Sequence, residues 1–404
     1  MNPLLISGFG TSINVDKRKL VVTNRLKKEK LEFSPHKIEH DSIIIDGHTG
    51  NITFESMRWL MKHNIHLTLL NWDGNLLAIT LPEQTISGKL RLAQYKKHLD
   101  DSVRYSIAEK IVKSKIDSSL HLLEELSKYY LIDGDAIKSR FEAEFIIFEK
   151  KTSQNTHKIP EIMGHEARIA KIYFEYIRVI FAKLAPQFSF ETRASFDHKR
   201  ADHAADEINA LLNYGYSILA SEIRKFLNSV GLDSQIGFLH ETLLSRTPLV
   251  YDLQELFRWL IDLSVIELLE ENKLKKSDFI LTENYHIRLK KETAKLLVEK
   301  IKSNFNLKVR YGKKYFAYQN ILSSNISQLA QFISEKKKTL EIKVPHITIN
   351  RDDNLELREK ILAMTPEERK KLGINKSTLW YIKKNIQSKD KIKIYDKVLE
   401  KIQK

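Results

Sequence analysis

The chain has 404 residues, 42% of them hydrophobic, and sets 67 Lys and Arg against 52 Asp and Glu for a formal net charge of +15. That length accommodates two or three domains with an apolar core, and the positive excess points to an anionic partner, nucleic acid first, because each phosphate contact releases a condensed counterion. Cysteine is absent, which excludes disulfides, thiolate nucleophiles and thiolate zinc sites. With no apolar run of about 18 residues and no signal peptide, no membrane partner is expected and the protein reads as soluble and cytoplasmic.

Residues 1–85 read as a small β-rich domain. Short strands are predicted at LLIS, KLVVT, KLEFS and SIIID, then a brief helix at TFESMRWLMKH, then the run IHLTLLNWDGNLLAIT. Asp73-Gly74 in that run is a hairpin signal, since both residues tolerate the positive φ of a tight turn. After LPEQTISG the pattern takes on helical period, and residues 86–344 are expected to form a large all-α domain. One predicted helix starts near Glu161 and carries Glu166 in line with Ile169, Ala170, Tyr173, Ile177 and Ile180, an expensive place for an unpartnered carboxylate. The next, NALLNYGYSILASEIRKFLNSV, should end at Gly231 through a left-handed cap.

Residues 345–404 read as a linker, VPHITINRDDN, followed by a helix-turn-helix. Thr365, Pro366 and Glu368 form a capping-box signature, Gly373 supplies the turn, and Asn375 or Ser377 can cap the second helix. Such a layout places the second helix, with Lys376, Ser377, Thr378, Tyr381 and Lys384, where it can read or clamp DNA. The terminal run IQSKDKIKIYDKVLEKIQK is either a solvated helix or a phosphate contact. The expected fold class is therefore α+β, with a β-rich start, a helical body and a helix-turn-helix at the end.

One stretch breaks the charge pattern. From Phe226 to Asn272 there is no lysine, and eight acids face only Arg246 and Arg258. A helix predicted from Pro248 to Glu271 puts Asp252, Glu255, Trp259 and Asp262 on one arc, beside an apolar arc of Leu249, Leu253, Leu256, Leu260 and Ile261. Taken singly, that face is a solvated surface, His240 a satisfied histidine and Glu166 a salt-bridge partner. Against this, the supposed wet face includes Tyr251, Trp259 and Ile266, and Asp252 and Glu255 repel each other unless a cation intervenes. A divalent ion accounts for Glu166, His240 and the acids together, since it offsets carboxylate burial and accepts neutral imidazole. Both readings stand at this level. HEARI at His165 and HETLL at His240 lack the second histidine of a zinc-protease helix, and no Walker or dinucleotide-binding glycine pattern appears.

The blocks GNITFESMRWL, KLRLAQYKKHL, GHEARIAKIYFEYI, NALLNYGYSILASEI, GLDSQIGFLH and VYDLQELFRWLID, in that order, resemble the CRISPR-associated integrase family that inserts spacers into CRISPR arrays. The resemblance implies an N-terminal β domain, a helical catalytic domain, and metal ligands that carry over to Glu166, His240 and Glu255, with Asp252 in the accessory acidic position. It implies Mg²⁺ or Mn²⁺, the imidazole tilting preference to manganese. It also implies double-stranded DNA as donor and target, and a homodimer or higher homo-oligomer. The added helix-turn-helix is similar to casposases, transposon-encoded relatives that insert their own element, and this reading is preferred over a CRISPR adaptation integrase. A non-catalytic helix-turn-helix regulator and a metal-dependent repair nuclease are the other classes to separate.

Overall fold

Alternating apolar residues over the first 80 positions build two four-stranded sheets. In the computed structural model, β1 (Pro3–Ser7), β5 (Ser42–Asp46), β7 (His66–Leu70) and β8 (Leu76–Thr80) form one sheet in the order β1-β5-β7-β8, parallel except for the β7/β8 pair. The second runs β4 (Glu29–Phe33), β3 (Lys19–Asn24), β2 (Thr11–Asp16), β6 (Gly50–Ile52), antiparallel except for the β2/β6 pair. α1 (Phe54–Lys62) is capped by Thr53, whose hydroxyl accepts the Ser56 N–H. The inward residues of both sheets and of this helix, among them Ile13, Leu20, Ile43, Trp59, Leu60 and Leu67, share one apolar core. β2 and β6 were not expected, because TSINVD and GNI carry few large apolar residues.

The structure describes residues 2–388 apart from 8–9, 47–48, 72–73, 82–87, 131, 153–157, 191–203, 205, 241–246, 272–273, 283–285, 313, 343, 346, 348 and 350–360. Asp73 of the expected hairpin, most of the predicted linker and the terminal lysine run after Ser388 lie outside them, whereas Gly74 adopts φ 83°.

Besides β7 and β8, ten α-helices and two short hairpins are described from residue 54 to residue 333. In order they are α1, α2 (Gly88–Leu99), α3 (Asp101–Ser127), α4 (Gly134–Thr152), α5 (Ile159–Leu184), α6 (Glu207–Val230), α7 (Pro248–Gln254), α8 (Arg258–Glu271), β9 (Phe279–Leu281), β10 (Ile287–Leu289), α9 (Lys291–Asn306), β11 (Lys308–Tyr311), β12 (Lys314–Ala317) and α10 (Tyr318–Ile333). The two antiparallel hairpins, β9/β10 and β11/β12, depart from the all-α expectation. α6 ends at Gly231 with φ 83°, as its glycine predicts. This helix also fastens the first sheet to the helical body. Thr68 and Ser221 share a buried 2.6 Å hydrogen bond, and Lys225 lies 2.6 Å from Glu222 and 3.5 Å from Asp41.

The chain divides into two compact units, Met1–Ile347 and Thr348–Lys404. In the second, α11 (Pro366–Lys371) begins at the Thr365/Glu368 capping box, Gly373 turns the chain at φ 60°, and α12 (Lys376–Ser388) follows. Ile361, Met364, Ile374, Leu379 and Ile382 form its own small core.

Candidate active site

The predicted helix over 248–271 is two helices. After Gln254 the chain tightens, Leu256 N–H bonding to Leu253 O and Phe257 N–H to Gln254 O, before α8 resumes the α-helical pattern. Glu255 sits at this break with its side chain 4% exposed. The solvated-face reading is corrected here: Trp259, Asp262 and Ile266 are buried, and α8 is enclosed on nearly every side. Burial of this stretch explains the missing lysines, since an ammonium cannot stay hydrated there.

Asp252 is fully buried one turn earlier. Its Oδ2 accepts the backbone N–H groups of Phe238 (2.5 Å) and Leu239 (3.0 Å), and its Oδ1 accepts that of His240 (2.9 Å). The same Oδ1 lies 2.8 Å from His240 Nδ1. Burial opposes the charged imidazole, yet the hydrogen bond and charge of Asp252, with Glu255 adding to them, hold the His240 pKa above the ordinary histidine value. Gly237 is required beside this turn, because a Cβ there would stand 2.7 Å from Pro248 Cβ and 2.9 Å from Asp252 Oδ2.

The loop that ends at His240 is gripped by α2 and α3. The Gln94 amide donates to the carbonyls of Asp233 (2.8 Å) and Ile236 (2.9 Å) and accepts the Asp233 N–H. His98 Nδ1 lies 2.6 Å from Gly237 O, and Arg104 Nε donates to Phe238 O at 3.1 Å. Gln94 and His98 belong to the KLRLAQYKKHL block, so that motif clamps the histidine loop.

On α5, Glu166 faces the same centre. The Lys115 ammonium of α3 bridges the two acids, pairing with Glu166 Oε1 and lying 2.5 Å from Glu255 Oε2. Arg258 Nη1 donates to Glu255 Oε1 at 2.7 Å. Burial favours the neutral acid at Glu255, but the two cations outweigh it and bring its pKa down to about 2. Deeper, Asp262 accepts hydrogen bonds from Tyr173 (2.8 Å) and Tyr216 (2.5 Å), and the Arg258 guanidinium lies 4.5 Å from the Tyr216 ring centre. Glu166, Glu255, Lys115, Arg258 and Asp262 line one pocket of about 570 Å³.

Glu166 and Glu255 thus converge in the pocket, whereas His240, seated on Asp252, is not among its lining residues and is linked to them through the charge of Glu255. Among the described residues no three His, Asp or Glu side chains stand at metal-holding geometry; an ammonium joins the two carboxylates instead. The donor set suits a hard divalent ion: two gathered carboxylates, an imidazole whose Nδ1 is engaged by a carboxylate, and a buried Glu255 Oε2 whose partner is the Lys115 ammonium, a positive charge at the place a cation would take. Sequence reasoning missed Lys115, Arg258 and the two tyrosines. The signal for Lys115 was its place between Ser114 and Ile116 in a helix buried on most sides. Lys376, Ser377, Tyr381 and Lys384 are exposed on α12 and Thr378 is half-buried, with Lys384 Nζ 4.8 Å from the Trp380 ring centre.

The profile described as CRISPR associated protein Cas1 matches residues 4–303. A structure described as a casposase bound to integration product aligns with a TM-score of 0.78 and 35% identity, covering 90% of this chain and 99% of that one. CRISPR-associated endonuclease Cas1 1 of Archaeoglobus fulgidus is 24% identical over 344 residues, 83% of this chain and 97% of its own. CRISPR-associated protein Cas1 3 of Methanobrevibacter ruminantium is 29% identical over 283 residues, 68% of this chain and 80% of its own. With the fold and pocket above, these likenesses define an enzyme of the nuclease and integrase class. The chain belongs to the CRISPR associated protein Cas1 family. No described helix is long and apolar enough to cross a membrane.

Proposed function

We propose that the chain is a casposase-type integrase that joins the 3′-OH ends of mobile-element DNA to double-stranded target DNA, with Mg²⁺ or Mn²⁺ held by Glu166, His240 and Glu255. The observation that carries it is the meeting of Glu166 and Glu255 around one positive charge, with the charge of Glu255 also acting on the Asp252-bound His240. The identity of 35% to a casposase, against 24% and 29% to the two CRISPR relatives above, favours this reading over a CRISPR adaptation integrase.

In the reaction the donor 3′-oxygen attacks a target phosphorus, and the bond to the target's own 3′-oxygen breaks. One phosphodiester forms as one is lost, and the departing oxygen takes up the proton. A bound divalent ion supplies Lewis acidity to the phosphate and to the attacking oxygen. Asp252 fixes the ring and tautomer of His240, and Arg258 holds Glu255 ionised. Lys115, released from the two acids, becomes a cation for the phosphate oxygens. With water in place of the donor hydroxyl the same groups cut DNA. The three-part division at 85 and 344 assigns platform, chemistry and recognition to successive segments, and Lys376, Ser377, Thr378, Tyr381 and Lys384 contact the donor end. Paired insertion of two ends requires a homodimer or higher homo-oligomer.

The test is a gel assay with labelled 3′-OH donor, plasmid and Mn²⁺. His240→Ala and Glu255→Ala should lower joined product at least 100-fold with DNA affinity within about threefold. Joining at wild-type rate by either variant, or in EDTA, overturns the site assignment. Cleavage without joined product makes the protein a repair-type nuclease.

A further inference from the structure

From Lys300 to Ser334 the sequence has no acidic residue and six basic ones, Lys300, Lys302, Lys308, Arg310, Lys313 and Lys314. It is the counterpart of the lysine-free stretch that builds the acid pocket, and its centre is the β11/β12 hairpin. The register pairs Arg310 with Tyr315 and Tyr311 with Lys314 across the two strands. Arg310 and Tyr315 therefore share a face, with Lys308 two residues along it. Tyr315 is 70% exposed, and Phe316, which packs edge-on against Tyr311 at 6.2 Å, is also exposed. Among the described residues Lys308, Arg310 and Lys314 make no ion pair.

The base of the hairpin is firmly set. Val309, Ala317 and Tyr318 are buried, and Tyr318 N–H bonds to Leu307 O. Phe305, before β11, stacks on Phe257 with ring centres 6.5 Å apart, and Tyr318, after β12, packs edge-on to Trp259 at 5.1 Å. Both partners follow Glu255 at the break between α7 and α8, and Trp259 lines the acid pocket. The hairpin is thus rooted behind the wall of that pocket and extends an uncompensated basic, aromatic face. A tyrosine left open to water beside an arginine and a lysine offers a surface that a flat, anionic partner can cover.

We propose that the β11/β12 hairpin is a second DNA-binding surface, on which an unpaired base stacks against Tyr315 while Lys308 and Arg310 on the same face, and Lys314 on the opposite face of the hairpin, hold the adjoining phosphates. Every base offers a π-face and every linkage a negative charge, so the contact is independent of sequence and selects single-stranded over paired segments. The inference rests on the DNA-joining reading for its biological setting but reads out separately. Strand joining leaves unpaired nucleotides beside each new junction, which is a substrate of this chemistry.

Full-length protein is titrated by fluorescence anisotropy with a labelled duplex bearing a short single-stranded overhang and with the same duplex blunt-ended. Tyr315→Ala should weaken the overhang DNA about tenfold and the blunt DNA less than twofold, and Tyr315→Phe should restore affinity. The triple change Lys308→Ala, Arg310→Ala, Lys314→Ala should weaken both DNAs and lower the salt slope by about 2–3. Unchanged overhang affinity for Tyr315→Ala overturns the proposal, as does an equal loss for both DNAs. A wild-type protein that binds overhang DNA through Tyr315 but joins no donor would sink the integrase reading and leave the hairpin standing. The reverse pattern sinks the hairpin alone.

Discussion

His240 and Asp252 are joined twice through a single oxygen, Oδ1 accepting the His240 backbone N–H at 2.9 Å and lying 2.8 Å from its ring Nδ1. The other oxygen closes two more N–H groups. One buried carboxylate therefore shapes the loop and orients the imidazole. Asp252→Asn keeps the volume but in either orientation must turn its NH₂ toward a backbone N–H donor. We expect a loss of about 3 kcal/mol in unfolding free energy and a fall of about 10–100-fold in strand joining. Urea denaturation and the joining assay measure the two effects.

Gly237→Ala probes the same turn from the backbone side. The added methyl would press on Pro248 Cβ at 2.7 Å, on the Pro248 carbonyl carbon at 3.0 Å and on Asp252 Oδ2 at 2.9 Å. Two of these belong to the start of α7, which cannot yield without moving Asp252. A destabilisation of about 1–3 kcal/mol is expected, with reduced joining. Wild-type stability in this variant would show that α7 is free to shift.

Lys115 is the third target. It is 14% exposed and bridges Glu166 and Glu255. Lys115→Met leaves two close carboxylates with only Arg258 for compensation, so metal-free protein should lose about 2–4 kcal/mol. If a divalent ion takes over that compensation, Mn²⁺ should raise the melting temperature of the variant more than that of wild type. An equal Mn²⁺ response in both proteins counts against metal binding between these acids.

The β-rich start was legible because alternation of apolar residues reports directly on a two-sided sheet. β2 and β6 escaped, since Ile13 and Ile52 are too sparse to set a period. The acid island was visible as a composition anomaly, but its parts have different duties. Asp252 ends a loop, Glu255 balances two cations and Asp262 accepts from Tyr173 and Tyr216. Helical spacing put them on one arc, yet the break after Gln254 depends on packing of Phe257 and Trp259 against distant residues, which no local pattern records. Lys115 lies 51 positions from Glu166, so only the fold of α3 against α5 brings them together.

His66 on β7 provides a test of how the sheet is fixed to α6. Its ring is buried, its Nδ1 has no hydrogen-bond partner, and Asp41, Glu222 and Lys225 are the charged groups clustered about this junction. Burial, followed by the nearby Lys225 charge, lowers its pKa from 6.5 to about 4, with Asp41 opposing. The unfolded chain takes up a proton below pH 6.5 while the folded chain resists until about 4. The stabilising contribution of neutral His66 is therefore complete above 6.5, shrinks as pH falls toward 4, and changes no further below that. Burial raises the Glu222 carboxyl pKa, which gives a slope of opposite sign, so the substitution rather than the wild-type curve isolates the histidine. Between pH 7.5 and 5, wild type should lose about 2 kcal/mol more than His66→Gln in urea denaturation. Parallel curves for the two proteins would mean that the ring is protonated as readily in the fold as in water.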